Sequence, residues 1–90
     1  MRDEYGKVSI MFENIIPLIQ QIANDRTVPR NIRLKCEDSI KILQDNKEDL
    51  AVRINTVISS MDEISNDTNI PTYTRTQVWN IVSLLESMQK

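Results

Sequence analysis

The residue types that most often carry out chemistry in proteins are nearly absent from this sequence of 90 residues. It has no histidine, one cysteine (Cys36) and one glycine (Gly6). Histidine is the commonest general base and metal ligand, and a phosphate-binding loop needs several glycines. The sequence therefore predicts no metal site, no cofactor site and no nucleophile activated by histidine, and we expect the protein not to be an enzyme.

Carboxylates are the remaining candidates for acid–base chemistry. Adjacent acids occur in four pairs, Asp3-Glu4, Glu37-Asp38, Glu48-Asp49 and Asp62-Glu63. Neighbours on a helix point about 100° apart, so such a pair is not by itself a catalytic couple. We interpret these pairs as solvated surface, and a carboxylate-only enzyme is the third of three functional hypotheses.

An acid and an arginine recur at the same spacing, as Asp25 with Arg33 and as Asp67 with Arg75. One hypothesis makes them a ligand-binding charge pair. The other makes them structural pairs of two hairpins, in which the arginine either bridges to the aspartate or binds carbonyls at the end of the preceding helix. The duplication favours the structural role.

The one basic run comprises Arg26, Arg30, Arg33 and Lys35, in a chain with a formal net charge of −2. Contact with phosphate makes a small nucleic-acid-associated protein the alternative function. However, Arg33, Glu37 and Lys41 are spaced by four and form an alternating ladder on an exposed face. We therefore do not expect nucleic acid as the partner.

These polar residues belong to an internal repeat with a period of 42 residues. Ile22-Ala23-Asn24-Asp25 and Val28-Pro29 correspond to Ile64-Ser65-Asn66-Asp67 and Ile70-Pro71. A period of this size indicates a two-helix structural repeat. Residues 15–43 are predicted to superpose on residues 57–85, with Arg33 and Arg75 in equivalent contacts.

Apolar residues at helical spacing predict four helices, near residues 4–24, 29–44, 47–65 and 71–88. Asn24 and Asn66 are expected to end helices in the left-handed conformation, and Thr27, Asn46 and Asn69 to cap the helices that follow. Because the connections are short, neighbouring helices must be antiparallel. The prediction is a single all-α domain over residues 1–90, either an up-and-down four-helix bundle or two stacked helix-turn-helix repeats. The core is expected to include Ile19, Ile22, Ile40, Val57, Met61 and Leu85.

Pro17 falls inside the first predicted helix, on the side opposite the apolar stripe. A proline there removes a backbone hydrogen bond and clashes with the carbonyl of Glu13. We expect a kink, with a break and recapping at Asn14 as the alternative.

Three apolar residues, Ile10, Leu34 and Val52, lie opposite the apolar stripes of their helices. Ile10 and Val52 are again 42 apart, so we expect a contact patch on the first and third helices, through which two copies associate. The alternative is that these side chains tuck under loops. Trp79 and Tyr73 lie at the margin of the fourth stripe, where an aromatic residue is either core periphery or an interface anchor.

The sequence also predicts a cellular location. No apolar run approaches the length of a membrane span, the first residues lack the pattern of a signal peptide, and the single cysteine cannot form an internal disulfide. We expect a cytoplasmic protein with no membrane contact.

The segments Asn-Asp-x-x-Ile-Pro and Thr-Arg-Thr-Gln-Val-Trp-Asn-Ile-Val-Ser-Leu-Leu-Glu-Ser resemble those of an uncharacterised family of short all-helical archaeal proteins. The resemblance covers nearly the whole chain and implies a compact four-helix fold, an archaeal cytoplasm and no assigned activity. The helix-turn-helix unit is more weakly similar to HEAT-type repeats, although Pro29 and Pro71 depart from that pattern.

Overall fold

The computed structural model describes the backbone of residues 2–89 and the side chains of residues 12–89. Over this range the chain forms four helices and no strand: α1 (Arg2–Ala23), α2 (Arg30–Gln44), α3 (Leu50–Ser65) and α4 (Thr72–Ser87). The all-α prediction is confirmed. None of the helices in this range is long and apolar enough to cross a membrane.

The four helices form a closed ring, because each packs on the next and α4 packs back on α1. Within the described residues, α1 does not pack on α3, nor α2 on α4, as they would in a stack of helix-turn-helix repeats. The stacked alternative is therefore wrong, and the fold is an up-and-down bundle of 42 × 21 × 18 Å. The turns 24–29 and 66–71 lie at one end, and the turn 45–49 lies at the other.

The buried residues of the core recur with the 42-residue period of the sequence. Ile22 and Ile64, Cys36 and Val78, and Leu43 and Leu85 are equivalent pairs, and every member is at most 1% exposed. All six residues that the stripes place in the core are buried. Two polar residues are buried with them: Ser39 donates to the carbonyl of Lys35, and the hydroxyl of Thr74 has no partner in the described part of the chain.

The helix ends differ from the prediction. No described residue has a positive φ, and Asn66 is right-handed, with φ −87° and ψ −5°. The left-handed conformation is unnecessary because the N–H groups of Asn24 and Asn66 continue the helical bonding, to the carbonyls of Gln20 and Asp62. The N-caps are Pro29, Asp49 and Pro71 rather than Thr27, Asn46 and Asn69, and none makes a side-chain cap bond.

Helix α1 runs through Pro17 without a break. The alternative of recapping at Asn14 is therefore wrong. Pro17 is exposed, as its position opposite the apolar stripe predicts.

Candidate functional site

Asp25 organises the turn between α1 and α2 and joins it to α4. Its Oδ1 accepts the backbone N–H of Thr27 at 2.9 Å and the hydroxyl of Thr27 at 2.6 Å. Its Oδ2 accepts the hydroxyl of Tyr73 at 2.9 Å, and that phenol oxygen also lies 2.6 Å from the hydroxyl of Thr27. Bonds from Thr27, and then from Tyr73, hold the pKa of Asp25 below its ordinary value of 3.8. Asp25 is thus a carboxylate that stays ionised and bonded.

Asp67 makes the equivalent turn with fewer bonds. Its Oδ1 accepts the backbone N–H of Asn69 at 2.7 Å. Both aspartates therefore form an Asx turn, in which the side chain accepts the backbone N–H two residues later. This bond fixes the direction of the chain as it leaves the helix. This explains why the N-caps differ from the prediction. The aspartate binds the backbone N–H in the turn, and the next helix begins further along the chain.

Neither arginine forms an ion pair with its aspartate. The only ion pair among residues 12–89 joins Lys35 to Glu63 at 3.1 Å. The Nε of Arg75 donates instead to the carbonyl of Ser65 at 2.9 Å, and its Nη2 donates to the carbonyl of Asp67 at 3.0 Å. Arg75 thus binds carbonyls at the end of the preceding helix.

Arg33 makes a different contact from Arg75. Its Nε donates to the carbonyl of Val28 at 3.1 Å, inside the turn itself. The prediction of equivalent contacts for Arg33 and Arg75 is therefore wrong. The backbone frames do match, because the N–H groups of both arginines bind the carbonyls of their N-cap prolines, at 3.1 Å and 3.2 Å.

The true equivalent of Arg75 is Arg53, in the first turn of α3. The middle turn that precedes α3 has no counterpart in the 42-residue period. Asp45 Oδ1 accepts the N–H of Lys47 at 3.0 Å, and Arg53 Nη1 donates to the carbonyl of Leu43 at 2.9 Å. All three turns share one pattern, in which an isoleucine is followed by an aspartate three residues later, by the N-cap seven residues later and by an arginine eleven residues later. The three copies are Ile22-Asp25-Pro29-Arg33, Ile42-Asp45-Asp49-Arg53 and Ile64-Asp67-Pro71-Arg75. Comparing the sequence with itself at offsets of 20 and 22 would have found the third copy.

The basic run does not form one cationic surface. Arg33 is half-buried and bound to a carbonyl, and Lys35 pairs with Glu63. Arg26 and Arg30 remain exposed. The exposed neighbours Glu37 and Asp38 follow on the same helix, so the surface carries both signs of charge.

The thiol of Cys36 is poorly suited to nucleophilic work. Burial raises the pKa of the Cys36 thiol to about 12, whereas a nucleophilic thiol needs a lowered one. Residues 12–89 hold no group of three or more cysteine or acidic side chains placed to bind a metal ion. The acid pairs at 37–38, 48–49 and 62–63 are exposed, as expected, and the side chains of the pair at 3–4 lie outside the described residues.

The expected contact patch involves α1 and α3, which are not neighbours among the described residues. Leu34 and Val52 are exposed, at 47% and 46%, so they do not tuck under loops, and the side chain of Ile10 lies outside the described residues. The ring places α1 and α3 at opposite corners.

Trp79 is the most exposed large apolar residue described, at 57%. It lies one turn beyond Arg75, and residues four apart share a face of a helix. Because Arg75 binds carbonyls at the end of α3, Trp79 lies on the side of α4 nearest α3. Tyr73, 51% exposed, lies on the other side, against the α1–α2 turn.

Trp79 therefore borders a groove between two antiparallel helices. On α3, Asn55 marks the side nearest α4, because its side chain accepts a hydrogen bond from Gln89. On each helix, residues at successive spacings of three and four lie on the same side as Trp79 or Asn55. We call this groove the α3–α4 seam, formed by Asn55, Ile58 and Asp62 on α3 and by Trp79, Val82 and Glu86 on α4.

A hollow opens between the start of α3 and the end of α4, beside the turn 45–49. Its volume is about 420 Å³, and it is lined by Leu50, Ala51, Ile54, Asn55, Met88 and Gln89. The lining is mostly apolar and comes from the first turns of α3 and the end of α4. We call it the foot hollow.

The chain is similar to archaeal proteins along most of its length. A family model described as an uncharacterised protein family, UPF0147, matches residues 3–88. A UPF0147 protein of Methanothermobacter thermautotrophicus is 49% identical over 79 residues, which cover 88% of this chain and 78% of the relative. One from Sulfurisphaera tokodaii is 47% identical over 74 residues, covering 82% and 83%.

A solved structure shares the fold. The crystal structure of a protein from the same uncharacterised family, from Thermoplasma acidophilum, superposes with a TM-score of 0.86 at 36% identity. The match covers 92% of this chain and 99% of that one.

Proposed function

The chain belongs to the UPF0147 family, and from its surface we propose that it is a non-enzymatic protein of the cytoplasm that binds other proteins, including a second copy of itself. The observation that carries this proposal is the exposure of Trp79 on the α3–α4 seam. Tryptophan is the residue most enriched among those that dominate binding energy at protein interfaces. A tryptophan left 57% exposed on a folded helix is therefore a candidate anchor for a partner.

The charge pattern around Trp79 supports the same function. Helix α4 carries no charged residue between Arg75 and Glu86, and α3 carries none between Arg53 and Asp62. The centres of protein interfaces are depleted in charge and enriched in aromatic residues. Apart from Asp62 and Glu86, which end these stretches, the α3–α4 seam carries Trp79 and no charged residue, whereas the exposed face of α2 carries Arg30, Glu37 and other charges.

The state of the titratable groups supports a non-enzymatic role. The thiol of Cys36, with its pKa near 12, is protonated at neutral pH. The pKa of Asp25 is lowered, the opposite of the shift that makes a carboxyl group a general acid. A free, buried cysteine is also suited to the reducing cytoplasm.

Affinity capture from an archaeal extract treated with nuclease tests this proposal. The baits are the wild type, Trp79→Glu and the matched control Leu34→Glu, which places the same charge on an exposed apolar position of α2. We expect proteins that are retained by the wild type and by Leu34→Glu and that are lost with Trp79→Glu.

Recovery of nucleic acid instead of protein would overturn the proposal. Phosphate contacts make binding fall steeply and log-linearly with salt. Repeating the capture without nuclease over a salt series therefore distinguishes the nucleic-acid alternative, which would depend on Arg26 and Arg30.

A further inference from the structure

We propose that the interface between α1 and α4 encloses an ordered water molecule, held between the hydroxyl of Thr74 and the side-chain carbonyl of Gln77. The inference is independent of the proposed function, because it concerns the interior of the bundle and not its surface. It is carried by two buried polar atoms and by a comparison with the equivalent interface between α2 and α3.

Two side-chain oxygens of α4 are buried and have no hydrogen-bond partner in the described part of the chain. They are Oγ1 of Thr74 and Oε1 of Gln77. Thr74 is wholly buried, whereas the remainder of the Gln77 side chain is partly exposed. Buried polar groups in folded proteins are almost always hydrogen-bonded, either to protein or to ordered water. Both oxygens therefore require a partner that the described part of the chain does not supply.

The two oxygens belong to neighbouring turns on one side of α4. Gln77 is four residues after Tyr73, whose hydroxyl binds Asp25 in the turn that follows α1, so Gln77 lies on the side of α4 nearest α1. Thr74 is one turn before Gln77 and about 60° nearer the core. An O–H···O bond is about 2.8 Å long, so one water molecule joins oxygens up to about 5.5 Å apart. Residues three apart on a helix have their Cβ atoms about 5–6 Å apart, so a single water molecule can reach both side chains.

The internal repeat indicates where this water molecule has room. Thr74 is equivalent to Ile32, and the N–H groups of the two residues bind the carbonyls of their N-cap prolines, at 3.0 Å and 3.1 Å. Both residues are buried. The hydroxyl of a threonine stands at the branch that in an isoleucine carries the terminal methyl group. A methyl group is similar in size to a water molecule, so water at Thr74 would fill the space that the methyl group of Ile32 fills in the other half of the bundle.

The equivalent interface between α2 and α3 needs no such water molecule. Ile32 is apolar, and Lys35, which is equivalent to Gln77, forms an ion pair with Glu63. In the other half Gln21 stands at the position of Glu63 and makes no hydrogen bond to Oε1 of Gln77. The same backbone arrangement thus carries a satisfied ion pair at one interface and an unsatisfied amide at the other.

The hydrogen-bonding capacity of water matches both groups. A water molecule donates one hydrogen to the carbonyl oxygen of Gln77, which can only accept, and accepts the hydroxyl hydrogen of Thr74. Internal water molecules make about two to four hydrogen bonds, so these two partners are enough. Because Thr74 is wholly buried, exchange of the water with solvent requires α1 and α4 to separate locally, and the water should stay bound longer than the protein takes to tumble.

Relaxation dispersion of oxygen-17 in the solvent tests the proposal on the purified chain. The amplitude of this dispersion counts water molecules that stay bound longer than the tumbling time, and exchange of hydroxyl hydrogens does not affect it. We expect the amplitude to fall by roughly one water molecule in Thr74→Val, which keeps the shape of threonine without its hydroxyl, and in Thr74→Ile, which restores the methyl group of Ile32.

Two further variants serve as controls for the dispersion. Thr74→Ser keeps the hydroxyl and should keep the water molecule. Thr76→Val makes the same substitution at an exposed position of the same helix and should leave the amplitude unchanged. Circular dichroism confirms that each variant folds.

Urea denaturation gives an independent measurement. Thr74→Val and Gln77→Leu each remove one of the two partners of the water molecule. In a double-mutant cycle, the second substitution should therefore lower the denaturation midpoint less when the first is already present.

Three results would overturn the proposal. They are a dispersion amplitude that is the same for the wild type and Thr74→Val, midpoint shifts that are additive in the double-mutant cycle, and a crystal structure in which Oγ1 of Thr74 bonds directly to Gln77 or to a backbone carbonyl. None of these results would change the proposed function, which rests on Trp79 at the surface.

Discussion

The phenol oxygen of Tyr73 lies 2.9 Å from Oδ2 of Asp25, 48 residues away along the chain. Tyr73 is in the first turn of α4, and Asp25 is in the turn between α1 and α2. The bond therefore ties the second hairpin to the first at the end of the bundle that has two turns. Its energetic value depends on the charge of Asp25, and hence on pH.

We expect Asp25→Asn and Tyr73→Phe to lower stability at pH 7, and the loss to shrink in acid. The pKa of folded Asp25 is lowered from 3.8, so the folded chain binds this proton less readily than the unfolded chain. The stabilisation is fully present above the unfolded pKa and is lost as the pH falls through the folded pKa. Urea denaturation of the wild type and both variants at pH 7 and over a series of decreasing pH values measures the difference.

The matched control for this pH effect is Asp67→Asn. Asp67 makes the same backbone bond in its turn, but the hydroxyl of Tyr73 binds Asp25 instead. Its loss at pH 7 should be smaller than that of Asp25→Asn. Equal losses would show that the bond from Tyr73 contributes nothing.

Arg75→Lys and Arg53→Lys should each destabilise the bundle by about 1–2 kcal/mol, because a lysine cannot reproduce the directed bonds of a guanidinium. Arg75 donates to two carbonyls, and Arg53 also lies over the ring of Phe12, 5.8 Å from its centroid. Arg33→Lys should cost less, because Arg33 makes one bond within its own turn. Denaturant midpoints of the three variants check this order, and a larger loss for Arg33→Lys would contradict it.

Leu85→Ala should cost about 2–5 kcal/mol of unfolding free energy, because Leu85 is wholly buried and its loss leaves a cavity. Ile40→Ala should fall at the lower end of that range, since Ile40 is 8% exposed. Leu34→Ala, on an exposed residue, is the control and should change the denaturant midpoint little. A midpoint unchanged by Leu85→Ala would show that the core is elsewhere.

Much of the fold is predictable from the sequence because apolar burial dominates it. The spacing of Ile22, Met61 and Leu85 fixes which side of each helix faces inward, and the short connections fix antiparallel neighbours. The helix ends are less predictable, because Asp25 and Asp67 compete with the expected caps by bonding the backbone two residues on. Local patterns of that kind depend on hydrogen bonds, which periodicity does not report.

The surface is the least predictable part of the molecule. The helical angle of Val52 correctly predicts its exposure, but whether Val52 shares a face with residues of α1 depends on the order of helices around the ring. The partners of Arg33 and Arg75 likewise depend on which carbonyls the turns leave within reach. The residue type of Trp79 indicates a candidate anchor, whereas the foot hollow follows only from the placement of α3 against α4.

The middle turn has the conformation of the outer two turns without their proline. Asp49 has φ −60° and ψ 139°, close to the −54° and 147° of Pro29 and the −61° and 153° of Pro71. A proline that fits the native backbone stabilises a protein mainly by reducing the conformational entropy of the unfolded chain, by about 0.4–1 kcal/mol. Asp49→Pro should therefore raise the melting temperature, as calorimetry would show, whereas Asn46→Pro, inside the same turn, should not. The prolines of the two outer turns thus indicate which substitution in the middle turn would make the bundle more heat-resistant.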